Sequence, residues 1–340
     1  MGMFATAAVS VVMPVHNGID TVERAVRSLV KQTESDWELV AVDDGSGDGS
    51  GVKLRRLARD DCRIRVIVQK HQGIVAALNN GIAQAKAELI ARMDADDESF
   101  PRRLEQQRAF LECHSDIGLV SCLVALSDGG VDNRGYRLYT EWLNTLVTPE
   151  QIMLNRFIES PLAHPSVMFR RGVEREHGGY REGDFPEDYE LWLRWLAAGV
   201  RMAKVPSLLY HWQDSPTRLS RVDRRYRPEA FYRCKARYIA AHLRNRVNRP
   251  LLVWGAGRTT RRRARMLTDY GVRVQGYVDI DPRKMGRDTP EGRVRAPAEL
   301  PPPGEVFVLA YVGSRGAREK IRDELTGKRY VEGRDFFCCA

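Results

Sequence analysis

Short apolar runs alternate with stretches of helical spacing through the first hundred residues, and this alternation constrains the fold more than any other feature. The apolar runs predict strands at residues 9–15, 38–42, 64–68 and 88–93. Helices are predicted at residues 21–32, 78–87 and 101 to about 113, with a basic helix between the second and third strands. This order predicts an α/β fold with a mainly parallel sheet flanked by helices, whose ligands bind at the carboxyl ends of the strands.

Two acidic turns follow strands of the predicted sheet. One contains Asp43, Asp44 and Asp48, and the other is Asp94-Ala95-Asp96-Asp97. Carboxylates crowded at the end of a buried strand repel one another unless a cation joins them. The outer residues of an Asp-x-Asp motif can bind one Mg²⁺ or Mn²⁺, which in turn can hold a diphosphate. Taken alone, such a motif is equally typical of a solvated or helix-capping loop, and capping is the role we expect for Asp48.

Composition narrows the class of protein. The chain has 340 residues, of which 43% are hydrophobic, so it can bury a core and form two domains. No apolar run approaches the roughly 18 residues of a transmembrane helix, and we expect neither a membrane span nor a secretion signal. The six cysteines show no paired CxxC spacing, so we expect free thiols and a cytoplasmic location.

Residues 250–340 restart the strand and helix order. Strands are predicted at 251–254, 274–279 and 306–311, and helices at 259–270 and 317–325. Gly255-Ala256-Gly257 follows the first of these strands, as in a phosphate-binding turn, and Asp279 lies at a spacing suited to a ribose. Because Thr260 replaces the third glycine and the segment is short, we favour a small Rossmann-like accessory domain over an NAD site. The role of this domain would be oligomerisation, the binding of a second substrate that accepts a transferred group, or the sensing of a small ligand.

The net charge of +9 is concentrated in one segment, residues 218–249, which is predicted to form basic helices. Aromatic residues are interleaved with its arginines. No base-reading motif accompanies them, so no nucleic-acid partner is expected. The segment is compatible with a peripheral contact to the inner face of an anionic membrane, and equally with an Arg-rich face packed between domains.

Four motifs occur together in the first hundred residues: Val9–Asn17, Val42–Ser50, Gly73 with Asn79 and Gly81, and Arg92–Asp97. In order and spacing they resemble the nucleotide-sugar-binding half of the family 2 glycosyltransferases. The resemblance implies a GT-A domain at residues 1–217, with a nucleotide-sugar half at about 1–110 and an acceptor half at about 111–217. Residues 218–249 would then be a basic connector and 250–340 the accessory domain.

The resemblance also implies roles for individual residues. Asp44 matches the position that bonds the base, typically uracil, and Pro14, Val15 and Asn17 match the loop that lines the nucleotide pocket. Asp94 and Asp96 match the metal-binding pair, with Asp94 also near the ribose. Asp188, next to Glu187 at a predicted helix start, matches the catalytic base, although both acids also suit a helix N-terminus. His164, Glu187, His211 and Arg218 match the acceptor or diphosphate side.

Together these features predict an inverting, metal-dependent glycosyltransferase that uses Mn²⁺ or Mg²⁺. It would move a sugar from a nucleoside diphosphate, most often UDP, to a hydroxyl of a glycan or lipid-linked acceptor, as in surface polysaccharide synthesis. One alternative is nucleotidyl transfer to a sugar phosphate, although the expected Gly-rich loop with its Arg is absent after the first strand. Another is a non-catalytic nucleotide-sugar or NAD sensor that works through residues 250–340. An oligomer is compatible with each of these hypotheses.

Overall fold

A computed structural model describes residues 7–127, 134–215 and 218–340. The chain divides into two compact units. The first unit comprises Met1–Pro149, Leu162–Glu182 and Ala198–Val222, and the second comprises Glu150–Pro161, Gly183–Ala197 and Asp223–Ala340. Each unit therefore contains segments that are distant in sequence. The domain boundaries expected at residues 217 and 249 stay a prediction.

The described residues form strands and helices in alternation. The strands are β1 (Val9–Val15), β2 (Trp37–Asp44), β3 (Ile64–Gln69), β4 (Leu89–Arg92), β5 (Glu98–Ser99), β6 (Ile117–Leu126), β7 (Met168–Arg170), β8 (Arg201–Trp212), β9 (Leu251–Trp254), β10 (Tyr277–Val278), β11 (Asp288–Thr289), β12 (Gly292–Arg295), β13 (Phe307–Ala310) and β14 (Phe336–Cys338). The helices are α1 (Val22–Val30), α2 (Ser50–Asp60), α3 (Ile74–Gln84), α4 (Arg103–Cys113), α5 (Arg134–Thr145), α6 (Pro149–Asn155), α7 (Arg171–His177), α8 (Glu187–Ala197), α9 (Leu219–Val222), α10 (Pro228–Arg246), α11 (Arg258–Arg265) and α12 (Ala317–Gly327).

The first unit is built on an eight-stranded sheet with the order β3-β2-β1-β4-β7-β6-β8-β5. Strands β3, β2, β1 and β4 are parallel, and β7 pairs antiparallel with both β4 and β6. The fold prediction of a mainly parallel sheet flanked by helices is confirmed. Because β1, β2 and β4 are parallel neighbours, the turns that follow them meet at one edge of the sheet.

Helix α3 lies unusually close to the sheet. Gly81 faces β1 and β2, and a Cβ at this position would overlap Val12 Cγ1 and approach Val42 Cγ2 to 3.2 Å. The helix also begins four residues earlier than the predicted segment 78–87. Gly73, with φ of 89°, turns the chain into the helix at Ile74, and the extended Ala85 ends it. The helix was therefore predicted correctly, but its bounds were wrong.

The second unit contains a separate six-stranded sheet with the order β11-β12-β10-β9-β13-β14. All its pairs are parallel except β11 with β12. Helix α10 packs into the core of this unit through one face, which includes Cys234, Ile239 and Leu243. The expectation of a small α/β domain with a second sheet is confirmed.

Two expectations from composition concern membranes and thiols. Within the described ranges, no helix combines the length and the apolar composition that crossing a bilayer requires. All six cysteines are free thiols, as predicted, and they are Cys62, Cys113, Cys122, Cys234, Cys338 and Cys339.

Candidate functional site

The turns after β1 and β2 are tied together by hydrogen bonds at the carboxyl edge of the first sheet. The Gly18 N–H donates to Ser50 Oγ at 2.8 Å, and the Ile19 N–H donates to Asp48 Oδ2 at 2.9 Å. Asp48 also accepts from the N–H and the hydroxyl of Ser50. Asp48 is thus a turn-capping residue, as predicted, and is unavailable as a free ligand.

Asn17 holds the predicted nucleotide loop in shape. It follows β1, which ends with Pro14 and Val15, and it adopts a left-handed conformation with φ of 52°. Its side-chain oxygen accepts from the Gly47 N–H at 2.9 Å, and its own N–H donates to Ser46 Oγ at 3.0 Å. Asn17 therefore links the two turns, whereas the lining role of these three residues stays a prediction.

Asp44 lies at the end of β2, buried and fully bonded. Its Oδ1 accepts from Gln69 Nε2 at 2.8 Å and from the Gln72 N–H at 2.9 Å. Its Oδ2 accepts from the Gly73 N–H at 2.8 Å and lies 2.9 Å from His71 Nδ1. Burial opposes ionisation, but the hydrogen bonds from Gln72, Gln69 and Gly73 outweigh it and lower the pKa of Asp44. The carboxylate is therefore charged, with both lone pairs of each oxygen in use.

Two exposed histidines, which the sequence reasoning did not single out, lie over Asp44. The His16 and His71 rings are stacked with their centroids 4.1 Å apart, and both Nδ1 atoms approach the Asp44 carbonyl oxygen, at 2.9 and 3.2 Å. Together with the Asp44 carboxylate they could be considered metal ligands. A metal ion lies near the plane of each imidazole that binds it, however, and stacked rings do not converge on one ion. His16 and His71 are therefore better described as hydrogen-bond partners of Asp44 than as metal ligands.

The second acidic turn brings three carboxylates together at the end of β4. The ligand atoms of Asp94, Asp96 and Asp97 lie within 4.8 Å of one another. Asp94 is paired with the Arg92 guanidinium at 2.6 Å. Asp97 is buried and accepts from the Tyr210 hydroxyl at 2.9 Å. It also accepts from the main-chain N–H of Gln213 at 2.7 Å.

Asp96 differs from its two neighbours because, within the described residues, its carboxylate forms no ion pair and no hydrogen bond to another residue. Burial and the nearby charge of Asp94 raise the pKa of Asp96 to about 6. Burial and the charges of Asp96 and Asp94 likewise raise the pKa of Asp97. The negative charge of the cluster is therefore only partly neutralised by Arg92, and the cluster offers only oxygen ligands. Both properties fit a divalent cation such as Mg²⁺ or Mn²⁺.

Arg218 and His211 lie in the same unit as the acidic cluster. The Arg218 guanidinium is 4.0 Å from the centroid of the Trp212 ring, and its positive charge partly offsets the rise in the pKa of Asp96 and Asp97. His211 on β8 faces Glu98 on β5, with 3.8 Å between Nδ1 and Oε1. Arg218 is therefore brought close to the carboxylates, while His211 faces an acid outside the Asp-x-Asp motif. Their diphosphate roles stay predictions.

His164 is buried in a hydrogen-bonded network. Its Nε2 lies 2.7 Å from the Tyr180 hydroxyl, and Asn79 holds the Tyr180 main chain through bonds to both its N–H and its carbonyl oxygen. Burial and the positive charge of Arg92 hold the pKa of His164 well below its ordinary value. The imidazole is therefore neutral, which suits a structural hydrogen bond. Its predicted place on the acceptor side is untested.

Glu187 and Asp188 begin helix α8 in the second unit. Glu187 is 1% exposed, and both its carboxylate oxygens accept from the Tyr226 hydroxyl, at 2.6 and 2.7 Å. Asp188 is less buried than Glu187. The structure thus gives the two acids different environments, because Glu187 is enclosed by this phenol contact and Asp188 is partly exposed. The roles assigned to Glu187 and Asp188 stay predictions.

Asp279, the acid near the turn Gly255-Ala256-Gly257 of the second unit, is hydrogen-bonded within the unit itself. Asp279 is 7% exposed and accepts from the Ala256 N–H at 2.8 Å. It also accepts from the Asp281 N–H at 2.9 Å and lies 3.1 Å from Lys284 Nζ. A carboxylate committed to these partners is poorly suited to a ribose, which weakens the alternative of an NAD sensor.

Two partners of the site carboxylates, Tyr210 and Tyr226, could not be predicted from the local sequence. Tyr210 contacts Asp97 from β8, more than one hundred positions later in the chain, and Tyr226 contacts Glu187 from the basic and aromatic segment 218–249. Arg92 could have been noticed, because an arginine two residues before an acid on a strand lies on the same face.

The first unit has the strand order β3-β2-β1-β4-β7-β6-β8-β5, with the Asp44 turn and the acidic cluster at one edge of the sheet. This arrangement is that of a GT-A type α/β protein. The sequence profile of glycosyl transferase family 2 matches residues 10–178. The protein named glycosyltransferase EpsE of Bacillus subtilis is 34% identical over 208 residues, which cover 59% of this chain and 71% of that protein. The chain therefore belongs to glycosyltransferase family 2 and is a glycosyltransferase.

Other relatives extend the comparison. The O-antigen biosynthesis glycosyltransferase WbnJ of Escherichia coli is 29% identical, over 70% of this chain and 90% of that protein. Among solved structures, TarS of S. aureus matches with a TM-score of 0.54 and 19% identity, over 77% of this chain but only 42% of TarS. Residues 1–349 of TarS in complex with UDP-GlcNAc match with a TM-score of 0.53, 19% identity and coverage of 77% and 71%. These structural matches support the fold.

Proposed function

We propose that this glycosyltransferase transfers a sugar from a UDP-sugar to an acceptor hydroxyl with inversion at the anomeric carbon. The observation that carries the proposal is the free Asp96 carboxylate, which lies with Asp94 and Asp97 at the same sheet edge as Asp44. A nucleoside diphosphate sugar needs an anchor for its base and positive charge for its diphosphate. The turn after β2 would anchor the base, and the acidic turn after β4 would hold the cation that meets the diphosphate.

The base end of the donor would meet Asp44. This carboxylate is ionised, and it could accept from the imide N–H of a uracil if one of its present donors moved aside. The exposed His71 ring is the donor that can leave at least cost, because 59% of its side-chain surface faces solvent. Pro14, Val15 and Asn17 would line the slot beside it.

Asp94 and Asp96 would hold Mn²⁺ or Mg²⁺, and the bound cation would supply positive charge to the diphosphate as it leaves. Arg218 adds a second positive charge near the same carboxylates. His211 would stand on the diphosphate side and His164 on the acceptor side. UDP-GlcNAc bound to TarS supports UDP as the first donor to test.

Asp188 would act as the general base. It would take the proton of the acceptor hydroxyl while the acceptor oxygen bonds to the anomeric carbon. The bond between that carbon and the diphosphate oxygen breaks at the same time, and the bonding electrons leave with the diphosphate. A single displacement of this kind needs one base and forms no covalent intermediate with the enzyme.

The experiment is a donor screen that measures nucleotide release from UDP-, GDP- and dTDP-sugars with Mn²⁺, using water and simple saccharides as acceptors. We expect UDP release above background, and we expect Asp188→Asn to lose about a hundredfold or more of it while binding UDP normally. Full turnover by Asp188→Asn would refute the assignment of the base. Release of pyrophosphate from a nucleoside triphosphate, without sugar transfer, would favour nucleotidyl transfer instead.

The acceptor is proposed to be a glycan or a lipid-linked saccharide. Relatives are named for O-antigen, amylovoran and succinoglycan biosynthesis, which supports a place in polysaccharide synthesis.

The membrane contact proposed for residues 218–249 would be electrostatic, because Phe231, Tyr232 and Tyr238 pack against the core of the second unit. Arg233, Arg237 and Arg244 remain exposed on α10. Flotation with anionic and with neutral vesicles tests this contact, and equal binding to both would refute it.

A further inference from the structure

The first turn of α8 contains a buried acid beside the proposed base. Glu187 is enclosed, and the Tyr226 hydroxyl lies 2.6 and 2.7 Å from its two oxygens. Arg225 Nη1 is 4.0 Å from Glu187 Oε2. A buried carboxylate without such partners would carry an uncompensated charge next to Asp188, and the start of the helix would rearrange to expose it.

Tyr226 is itself held firmly in place. It ends a short 3₁₀ helix (Arg224–Tyr226), and Asp223 caps this helix by accepting from the Arg225 N–H at 2.8 Å. The Asp223 carboxylate also accepts from the Arg225 guanidinium at 2.8 and 3.0 Å. Asp223 thereby fixes both the backbone that carries Tyr226 and the arginine that faces Glu187.

We propose that Tyr226 is a positioning residue for Asp188, which acts by anchoring Glu187 and so fixing the first turn of α8. The inference rests on the proposed function, because it needs Asp188 to be the base. Tyr226 touches neither donor nor acceptor in this account. Its effect on the reaction passes through the helix start, where Glu187 and Asp188 are consecutive residues.

The protonation of Tyr226 agrees with this geometry. Burial and the negative charges of Glu187 and Asp188 raise the pKa of Tyr226 far above its ordinary value. The phenol therefore keeps its proton and remains a hydrogen-bond donor at every pH at which the enzyme would be assayed.

The same helix offers a matched control. Tyr238, on α10, donates to Glu190 Oε1 at 2.5 Å. Glu190 is also buried and also in α8, but it lies two residues beyond Asp188 and is further bonded to Arg194. Tyr238→Phe thus removes a phenol to carboxylate hydrogen bond from α8 without disturbing the acid next to the base.

The test compares Tyr226→Phe with Tyr238→Phe in the full chain, by measuring kcat and donor KM for UDP-sugar turnover and the Kd of UDP. We expect Tyr226→Phe to lower kcat about tenfold, with donor KM and UDP Kd unchanged, and Tyr238→Phe to stay within about twofold of the wild type. Asp223→Ala should lower kcat in the same way by about threefold, because it loosens the 3₁₀ helix from a partly exposed position.

Equal losses in both tyrosine variants would overturn the inference, because they would indicate general packing of α8. An unchanged kcat in Tyr226→Phe, or an effect confined to KM, would overturn it as well. The proposed function fails differently: if Asp188→Asn keeps full turnover, Asp188 is not the base, whatever the tyrosine variants do.

Discussion

The Arg92 guanidinium lies 2.6 Å from the Asp94 carboxylate, and this ion pair neutralises one of the three acids at the end of β4. Arg92 is 2% exposed, so its charge is available to Asp94 at low local dielectric. Asp94 is paired with a guanidinium, Asp97 is bonded to Tyr210, and Asp96 alone has no partner in another residue within the described part of the chain. The three adjacent acids are therefore chemically distinct.

Arg92→Met tests whether the ion pair with Asp94 sets the net charge of the acidic cluster. Without its partner, Asp94 would add to the repulsion within the cluster, and we expect a loss of about 2 kcal/mol of stability in the absence of metal. The added negative charge should also strengthen cation binding, so Mn²⁺ should raise the Tm of the variant more than that of the wild type. Thermal unfolding with Mn²⁺ and with EDTA measures both effects.

Arg24→Met is the control for Arg92→Met. Arg24 is exposed and bonds the main-chain oxygen of Asp96 at 3.1 Å and Glu98 Oε1 at 3.1 Å, so it lies at the same turn without pairing with the cluster carboxylates. Its Mn²⁺ response should match that of the wild type. If Arg92→Met responds to Mn²⁺ no more than Arg24→Met does, the ion pair does not govern the charge of the cluster.

His71→Ala should tighten UDP binding. The variant loses the one exposed side-chain donor to Asp44 and so frees an acceptor site for the base. A hydrogen bond from this exposed ring contributes about 1 kcal/mol, so we expect an increase in affinity of about two- to fivefold by calorimetry. His114→Ala, at the end of α4, should leave the affinity unchanged. Weaker UDP binding by His71→Ala would show that His71 holds the nucleotide rather than competing with it.

Lys204 should make the stability of the protein depend on pH. It is 1% exposed, its Nζ donates to the Leu143 carbonyl oxygen, and burial lowers the pKa of Lys204 to about 7. The unfolded chain holds this proton up to about pH 10.4, so between these values it binds more protons than the folded chain. The contribution of Lys204 to stability therefore rises with pH, by up to about 3 kcal/mol between pH 7 and 9.5.

Lys204→Met removes the titrating ammonium, so the variant lacks both the pH dependence and the cost of burying a charged group at pH 7. We expect the variant to exceed the wild type in unfolding free energy at pH 7, with a difference that shrinks toward pH 9.5. Urea denaturation at the two pH values measures it. A difference that is constant across this range would mean that Lys204 does not titrate in it.

Gly81→Ala should destabilise the first unit, because a methyl group there would overlap Val12 and force α3 away from the sheet. A loss of about 2 to 3 kcal/mol is expected from overpacking. Gly47→Ala is the matched control, since no atom lies within 4 Å of a Cβ at that turn. Val12→Ala should partly rescue Gly81→Ala in the double variant, and strictly additive losses would contradict the proposed overlap.

Much of the nucleotide half could be predicted because its information is local. Each acidic turn follows its own strand directly, so the positions of Asp44 and Asp96 at the sheet edge follow from strand order and parallel pairing. The same reasoning located the second sheet from the restart of the strand and helix pattern after residue 250.

The partners of these residues could not be predicted, because they depend on contacts between distant segments. Strand β8 lies between β6 and β5 in the sheet, an order that nothing in the local sequence indicates, and this order brings Tyr210 to Asp97. The aromatic residues of 218–249 looked suitable for a membrane surface. In the structure, Tyr226 instead bonds Glu187, and Tyr232 packs against the core of the second unit.

Calorimetric titration of UDP in the presence of Mn²⁺ and in the presence of EDTA, on the wild type and on Asp96→Asn, tests the central claim most directly. The account predicts UDP binding that requires Mn²⁺ in the wild type and is lost in Asp96→Asn, because the one free carboxylate of the cluster has been neutralised. Equal binding of UDP by Asp96→Asn and the wild type with Mn²⁺ would contradict the assignment of Asp96. No UDP binding by the wild type would contradict the proposed donor.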